Sequence, residues 1–457
     1  MGRKLIKRWK LWSSVSTNRK IFSASIVIAI CTIVVKLVAL FKEQLVAASF
    51  GTGADLDVFI IAFLVPSFFI SVITGALNAA FIPTYIRVRE LRGNAEAQDL
   101  LTRVVGLALM MLLAASVIIY TTADSYLPYV AHNFNAEQIV LAKNIMLIVL
   151  PGVAFSGINI IWGAVLNANE RFAVAAIIPI ITPALVLMFL LITAKSIGVM
   201  AIACGTVFGM VLESIVLGVV LLRHGFSLRI RIPRLDEDER QIGKQLLPMI
   251  SGSLILGSST IIDQSMATML TSGSVAALNY GNRLIAFPLN IAVTALGTAV
   301  VPYFSIMLAQ NDFAGIRHTI RRYFILLLSV SIPAAIGIIL LSEPIVRLVF
   351  QRGAFGAADT AIVSQVLACF ALQLPFYITG ILVVRLISAL LQNKILFYGN
   401  IISVILNISL NYIFMQRMGV AGIALSTSLV YLVSFCFLSI CCWRYLKTYE
   451  GTTTHAI

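Results

Sequence analysis

The chain has 457 residues, of which 60% are hydrophobic and 11% charged, and its 33 Lys and Arg against 19 Asp and Glu give a formal charge of +14. A water-soluble fold of that composition would have no polar surface to present, so the sequence reads as an all-α polytopic membrane protein. The basic surplus does not point to nucleic acid, because it gathers in the loops on one side of the membrane.

The first 20 residues hold Arg3, Lys4, Lys7, Arg8, Lys10, Arg19 and Lys20 with Trp9 and Trp12 among them, the pattern of an interfacial segment lying on the inner leaflet. The apolar stretch that follows is long and lacks a small-residue cleavage site, so it is not read as a removed signal. Windows able to cross a bilayer, roughly 20 residues each, then recur at about 21–46, 58–84, 101–121, 137–160, 172–193 and 197–222. After a linker the same count returns at about 245–270, 283–307, 320–342, 360–386, 395–415 and 419–443.

That is about 12 transmembrane helices in two pseudo-symmetric six-helix bundles, 21–222 and 245–445, expected around a central cavity. A tail follows at 446–457. The linker, 223–244, contains Asp236-Glu237-Asp238-Glu239-Arg240 and reads as a solvated boundary. Bases in alternate turns, including Arg87, Arg89, Arg92, Arg171, Arg223, Arg229, Arg317, Arg321 and Arg444, place both termini in the cytoplasm of a cell bounded by the inner membrane. The six cysteines fall in or at the ends of predicted helices and read as small packing residues, with neither disulfide nor zinc spacing.

The two halves echo each other. Glu43-Gln44-x-x-Ala47, Gly53 and Pro83 recur as Asp263-Gln264-x-x-Ala267, Gly273 and Pro302, at offsets of 220, 220 and 219. Pro151, Ala164 and Phe172 recur as Pro375, Ala389 and Phe397, at offsets of 224, 225 and 225. Matching hydrophobic halves are the mark of transporters whose site lies between bundles that rock against each other. Pro66, Pro151, Pro288 and Pro375 mark expected kinks, whether hinges or static bends.

Several chemistries have no sequence support. There is no G-x-x-x-x-G-K-[ST] phosphate loop, no H-E-x-x-H or paired-ligand spacing among the four histidines, and no G-x-S-x-G elbow, so the chain is expected to be neither an ATPase, a metal enzyme nor a hydrolase. No cofactor is expected, and a driving force has to come from an ion gradient, the membrane potential or the substrate gradient.

Four bases lie where the bilayer should be. Lys36 and Lys42 are six residues apart in the first window, about 9 Å along a helix and about 120° around it. Arg283 opens the eighth window, and Arg385 lies inside the tenth in Leu382-Val383-Val384-Arg385-Leu386. A cation at bilayer depth costs about 3 kcal/mol unless it meets water or a partner. One reading is a basic cavity for an anion such as a phosphate or diphosphate. The other is snorkelling to the interface, or pairing with an acid such as Glu43 or Asp57.

A second polar set comprises Asp263 in the seventh window, Asn407 and Asn411 four apart on one face of the eleventh, and Thr427 in the twelfth beside Gly422. Carboxylate, amide and hydroxyl oxygens suit a hard monovalent ion such as sodium. The alternative is that the amides hydrogen-bond between helices.

The stretch Lys36-Leu-Val-Ala-Leu-Phe-Lys42-Glu43-Gln-Leu-Val-Ala47, followed by Phe50-Gly51-Thr-Gly53-x-x-x-Asp57-x-Phe59 and Phe63-x-x-Pro66, resembles the opening of the MurJ/MviN lipid II flippase family. That family sits within the wider MATE, polysaccharide-transporter and flippase superfamily. Gly75-Ala76-Leu77-x-x-Ala80-Phe81-Ile82-Pro83 and Leu278-Asn279-Tyr280-Gly281-Asn282-Arg283-Leu284, with Phe287-Pro288 and Gly297-Thr298, carry the resemblance into both halves.

The resemblance implies an inward-facing cavity whose bases hold the diphosphate of an undecaprenyl-linked saccharide, and alternating access that carries the head group across. It assigns Lys36 and Lys42 to two family arginines, with charge kept but the bidentate fork lost. It assigns Arg283 to the N-R-L arginine and Asp57 to an acidic gating or structural position. Asp263, Asn407, Asn411 and Thr427 fall on a sodium site of some members, where Asn411 stands for a carboxylate. The chain departs from the family pattern at Ile70 and Ser71, where two arginines are usual, and at Ala286, where a glutamate is usual. The last two of the family's fourteen helices have no counterpart in this sequence.

Three functions follow as expectations. The first is a flippase for a polyprenyl-diphosphate-linked glycan precursor, either lipid II-like or an exopolysaccharide unit, with membrane lipids and glycan-assembly enzymes as partners and sodium as a coupling ion. The second is a cation-coupled exporter of small molecules on the same fold, which predicts an acidic or aromatic cavity. The third is a transport-silent scaffold that recruits glycan-assembly enzymes to basic cytoplasmic loops.

Overall fold

The computed structural model describes residues 17–232, 234, 236–310 and 312–454, so most of the interfacial segment expected at 1–20 lies outside the described residues. Among these the chain is helix and connection only, with no strand. The helices are α1 (Thr17–Phe50), α2 (Ala54–Arg92), α3 (Asn94–Thr121), α4 (Ala123–Val130), α5 (Ala136–Ala168), α6 (Phe172–Ile177), α7 (Ile181–Ile197) and α8 (Met200–Arg223). After the linker come α9 (Glu237–Ala267), α10 (Ser274–Ala309), α11 (Phe313–Leu340), α12 (Ser342–Phe350), α13 (Ala357–Ala371), α14 (Leu374–Ala389), α15 (Asn393–Met418) and α16 (Val420–Thr454).

Ten helical spans among the described residues are long and apolar enough to cross a membrane. The other two expected windows, 21–46 and 283–307, fall inside α1 and α10. In lipid a spanning backbone must satisfy its own polar groups, which is why so apolar a chain is helical throughout.

The proline positions behave unevenly. Pro66 and Pro83 lie inside α2 and Pro151 inside α5. Pro375 instead occupies the first turn of α14, where its missing N–H costs nothing. The window expected at 360–386 is therefore two helices, α13 and α14. Hydropathy does not register a break of two residues, Leu372 and Gln373, inside an apolar run.

The chain forms two compact units. The first comprises 17–49, 62–124 and 140–253, and the second 50–61, 125–139 and 254–454.

In the first unit α7 and α8 cross closely at Gly205-x-x-x-Gly209. A Cβ at either glycine would lie 2.7 Å from the backbone of Val186 or Thr182, so only a hydrogen there permits the approach. Asn159, buried in α5, donates to the Met210 carbonyl at 3.0 Å and accepts from Ser214 at 2.6 Å, joining α5 to α8.

The linker is less solvated than its charge suggested. Arg103 of α3, nearly buried, lies 3.3 Å from Asp99 and 3.2 Å from Glu239 and also pairs with Asp236. Asp238 is 5% exposed and receives Arg87 at 3.2 Å and Arg92 at 2.6 Å. Arg231 pairs with Asp99, and its backbone N–H donates to the Thr102 carbonyl at 3.2 Å. The acidic run is thus consumed by arginines at the ends of α2 and α3. A buried guanidinium needs anions around it.

In the second unit Asp57 fixes the start of α10. Its carboxylate accepts the backbone N–H of Gly273 at 2.6 Å and of Ala276 at 2.7 Å, supplying two of the N-terminal donors that a helix leaves unpaired. Gly273 has φ +89°, and a Cβ on it would collide with the Thr52 carbonyl. Nearby, Tyr280 packs its ring 4.9 Å from Phe350 and 5.5 Å from Phe355, while its hydroxyl donates to the Gly51 carbonyl at 3.2 Å.

Candidate functional site

Three of the four residues that the sequence grouped with a cation site converge on the fourth. Asp263 lies near the end of α9, and α15 places Asn407 and Asn411 one turn apart on the same face. Their Nδ2 groups donate to Asp263 Oδ1 at 3.0 and 2.7 Å. The Thr427 hydroxyl of α16 stands 3.2 Å from Oδ2 and 3.1 Å from the Ile423 carbonyl.

A carboxylate only accepts, so both amides must turn their nitrogens to it and their oxygens away. Asn407 Oδ1 and Asn411 Oδ1 are buried and have no hydrogen-bond partner among the described residues. One anion, two unsatisfied amide oxygens and a hydroxyl are a donor set that fits a small hard cation. The same contacts are the interhelical hydrogen bonds of the alternative reading, so the two readings describe one cluster.

Asp263, Asn407 and Thr427 also border a cavity of about 340 Å³ that lies wholly within the second unit. Sequence reasoning missed the rest of its wall: Gln264 of α9, Asn282 of α10, Gln373 before α14, Asn400 of α15, and Tyr377 and Tyr431 of α14 and α16. A signal was present. Asn400, Asn407 and Asn411 are spaced by seven and four, within about 40° on a helix.

The four bases are disposed differently. Lys36 is exposed on α1 and has no partner among the described residues. Lys42, half-buried one and a half turns on, pairs with its neighbour Glu43, which is buried. Arg283 is exposed on α10, and its Nε donates to Asn279 Oδ1 at 2.7 Å. Arg385 is half-buried in α14. Asp57 pairs with none of them: its two oxygens are taken by the α10 backbone.

A helical protein with repeated apolar spans and polar groups held within them is built for moving something across a bilayer. The family model described as "Lipid II flippase MurJ" matches residues 46–456. The chain belongs to that family, and it is a flippase, a transporter and not an enzyme. Among its relatives is a probable lipid II flippase MurJ of Rickettsia prowazekii, 26% identical over 413 residues that cover 90% of this chain and 81% of that one. Another is the lipid II flippase MurJ of Thermosipho africanus, 26% identical over 419 residues, covering 92% and 85%.

Solved structures agree on the fold. A lipid II flippase MurJ in an inward closed conformation matches with a TM-score of 0.76 and 23% identity, over 93% of this chain and 91% of that one. An inward-facing multidrug resistance MATE family transporter matches with 0.78 and 13% identity, over 91% and 95%.

Proposed function

We propose that the protein carries a polyprenyl-diphosphate-linked saccharide, a peptidoglycan precursor of the lipid II type, across the cytoplasmic membrane by alternating access. The family match over residues 46–456 carries this reading. In it Lys36, Lys42, Arg283 and Arg385 serve the diphosphate, and their placement within apolar helices gives them a purpose that surface snorkelling would not. Lys42 has Glu43 as its ion-pair partner and Asp57 holds the start of α10. An exopolysaccharide repeat unit is the alternative cargo. Both termini lie in the cytoplasm, and glycan-assembly enzymes on that side supply the substrate.

Sodium is the coupling ion in this proposal, bound by Asp263 and the Thr427 hydroxyl, with Asn407 and Asn411 exchanging their present N–H bonds to the carboxylate for contacts through their oxygens. The two unpartnered amide oxygens support that assignment. When bound, the ion supplies positive charge to Asp263. The chain's own contribution is to hold that carboxylate with neutral donors from two other helices.

The test is head-group translocation in proteoliposomes with a fluorescent undecaprenyl-diphosphate sugar, with and without a sodium gradient. Wild type should flip the lipid above the empty-liposome rate, and Lys36→Ala, Lys42→Ala and Arg283→Ala should each slow it by tenfold or more. No flipping of any glycan tried, together with raised drug resistance in an overexpressing strain, would transfer the function to the small-molecule exporter.

A further inference from the structure

The cavity of the second unit has a chemistry unlike that of a diphosphate site. Among the described residues its wall holds no Lys, Arg or His and one acid, Asp263, which is already shared by three neutral donors. The remaining polar groups are amides and hydroxyls. Asn282 is exposed and Asn400 half-buried, so their amides are presented to the cavity, whereas Gln264 and Asn407, 4% and 1% exposed, lie beneath its surface. Gln373, also buried at 4%, completes a ring of amides with Asn282 and Asn400.

The same wall carries Tyr377 and Tyr431, edge to face with ring centroids 5.0 Å apart. The volume of about 340 Å³ falls in the range of roughly 300–1,000 Å³ that small-molecule sites occupy.

We infer that this cavity is a saccharide subsite. It takes an uncharged, hydroxyl-rich sugar unit whose hydroxyls bond to the amides of Asn282 and Asn400 and whose C–H face lies against the tyrosine pair. Each amide of the ring can both donate and accept, as a sugar hydroxyl does, and none of them attracts a phosphate. That the sugar arrives on a lipid diphosphate rests on the flippase reading above; that the cavity selects a sugar does not. Because Asp263, Asn407 and Thr427 belong both to this wall and to the ion cluster, sugar and ion share one set of side chains, Asn407 among them. Seating the glycan therefore acts on the amide that orients toward Asp263.

The experiment titrates the full-length protein in detergent with di-N-acetylchitobiose, followed by saturation-transfer NMR. Binding is expected in wild type, to weaken tenfold or more in Gln373→Leu and Asn400→Leu, and to survive in the presence of inorganic diphosphate. Ser403→Leu, which fills the cavity without removing an amide, should act as the other two do. It keeps the test decisive where loss of a buried amide prevents folding.

No saturation transfer in wild type, or transfer unchanged by all three variants, would overturn the subsite. So would binding of tetraphenylphosphonium that the same variants abolish, since the cavity would then be one for organic cations. In proteoliposomes the same variants should lower transport of a sugar-bearing lipid tenfold relative to bare undecaprenyl diphosphate. Wild type moving neither lipid would sink the flippase reading and leave the titration to decide the subsite by itself.

Discussion

Asn411 of α15 donates to Asp263 of α9 at 2.7 Å, across 148 positions of sequence. The contact holds two helices by one proton, and it leaves the amide oxygen facing away with no partner among the described residues. Asp263→Asn removes the only negative charge in the cluster while keeping its size. Saturable binding of radioactive sodium to the purified protein is expected to disappear in that variant. Sodium binding that persists would take the ion out of the mechanism and leave the cluster as an interhelical hydrogen-bond network worth about 1–2 kcal/mol.

The cap on α10 gives a prediction about stability alone. Asp57→Ala leaves the N–H groups of Gly273 and Ala276 without their acceptor, and should lower the unfolding free energy by about 2 kcal/mol. Asp57→Asn keeps one acceptor oxygen and should cost less than half of that. Thermal unfolding in detergent, read by tryptophan fluorescence, distinguishes this ordering from a gating role, in which both variants would melt normally and transport poorly.

The linker should be protected down to low pH. Burial opposes the ionisation of Asp236, but the Glu239 backbone N–H and the guanidinium of Arg103, with Arg92 beyond it, outweigh that and hold its carboxyl below the usual range. A carboxyl lowered on folding adds stability that is complete above its unfolded value of about 3.9 and is lost as pH falls through the lowered one. Protection factors for the amides of Arg231, Glu239 and Arg240 should therefore stay level from pH 8 to about 5 and drop only below about 4. In Arg103→Met the same amides should already be unprotected at neutral pH.

The crossing of α7 and α8 tolerates no side chain at its closest point. Gly209→Leu places carbons where the Thr182 backbone now stands 2.7 Å from a Cβ position, and overpacking of that kind costs about 1–3 kcal/mol. Gly225, whose Cβ would meet nothing within 4 Å, lies outside the crossing and has φ +82°. Its substitution by Asn, which tolerates that conformation, should leave the melting temperature within a degree or two.

Membrane sequences advertise some of their chemistry and hide the rest. Asp263, Asn407, Asn411 and Thr427 stood out because a polar residue inside an apolar run has few reasons to be there. The role of Asp57 was not legible, since its partners are backbone N–H groups, which every residue but proline carries, 216 and 219 positions away. Arg103 was legible as a base near the cytoplasm and not as the centre of three carboxylates, because charge counting does not see burial. The break between α13 and α14 escaped for a related reason: hydropathy measures affinity for lipid and is blind to backbone direction.

The segment 50–61 packs with the second unit although both of its ends continue into the first. Its Gly51 carbonyl engages Tyr280 and its Asp57 carboxylate starts α10. The two echoing halves of this chain are consequently no longer modular. A polypeptide cut at the linker would yield a carboxy-terminal fragment deprived of the cap on α10, and co-expressed fragments should complement only when the cut is moved. With 125–139, this segment makes the second unit depend on chain that the sequence repeat would assign to the other half.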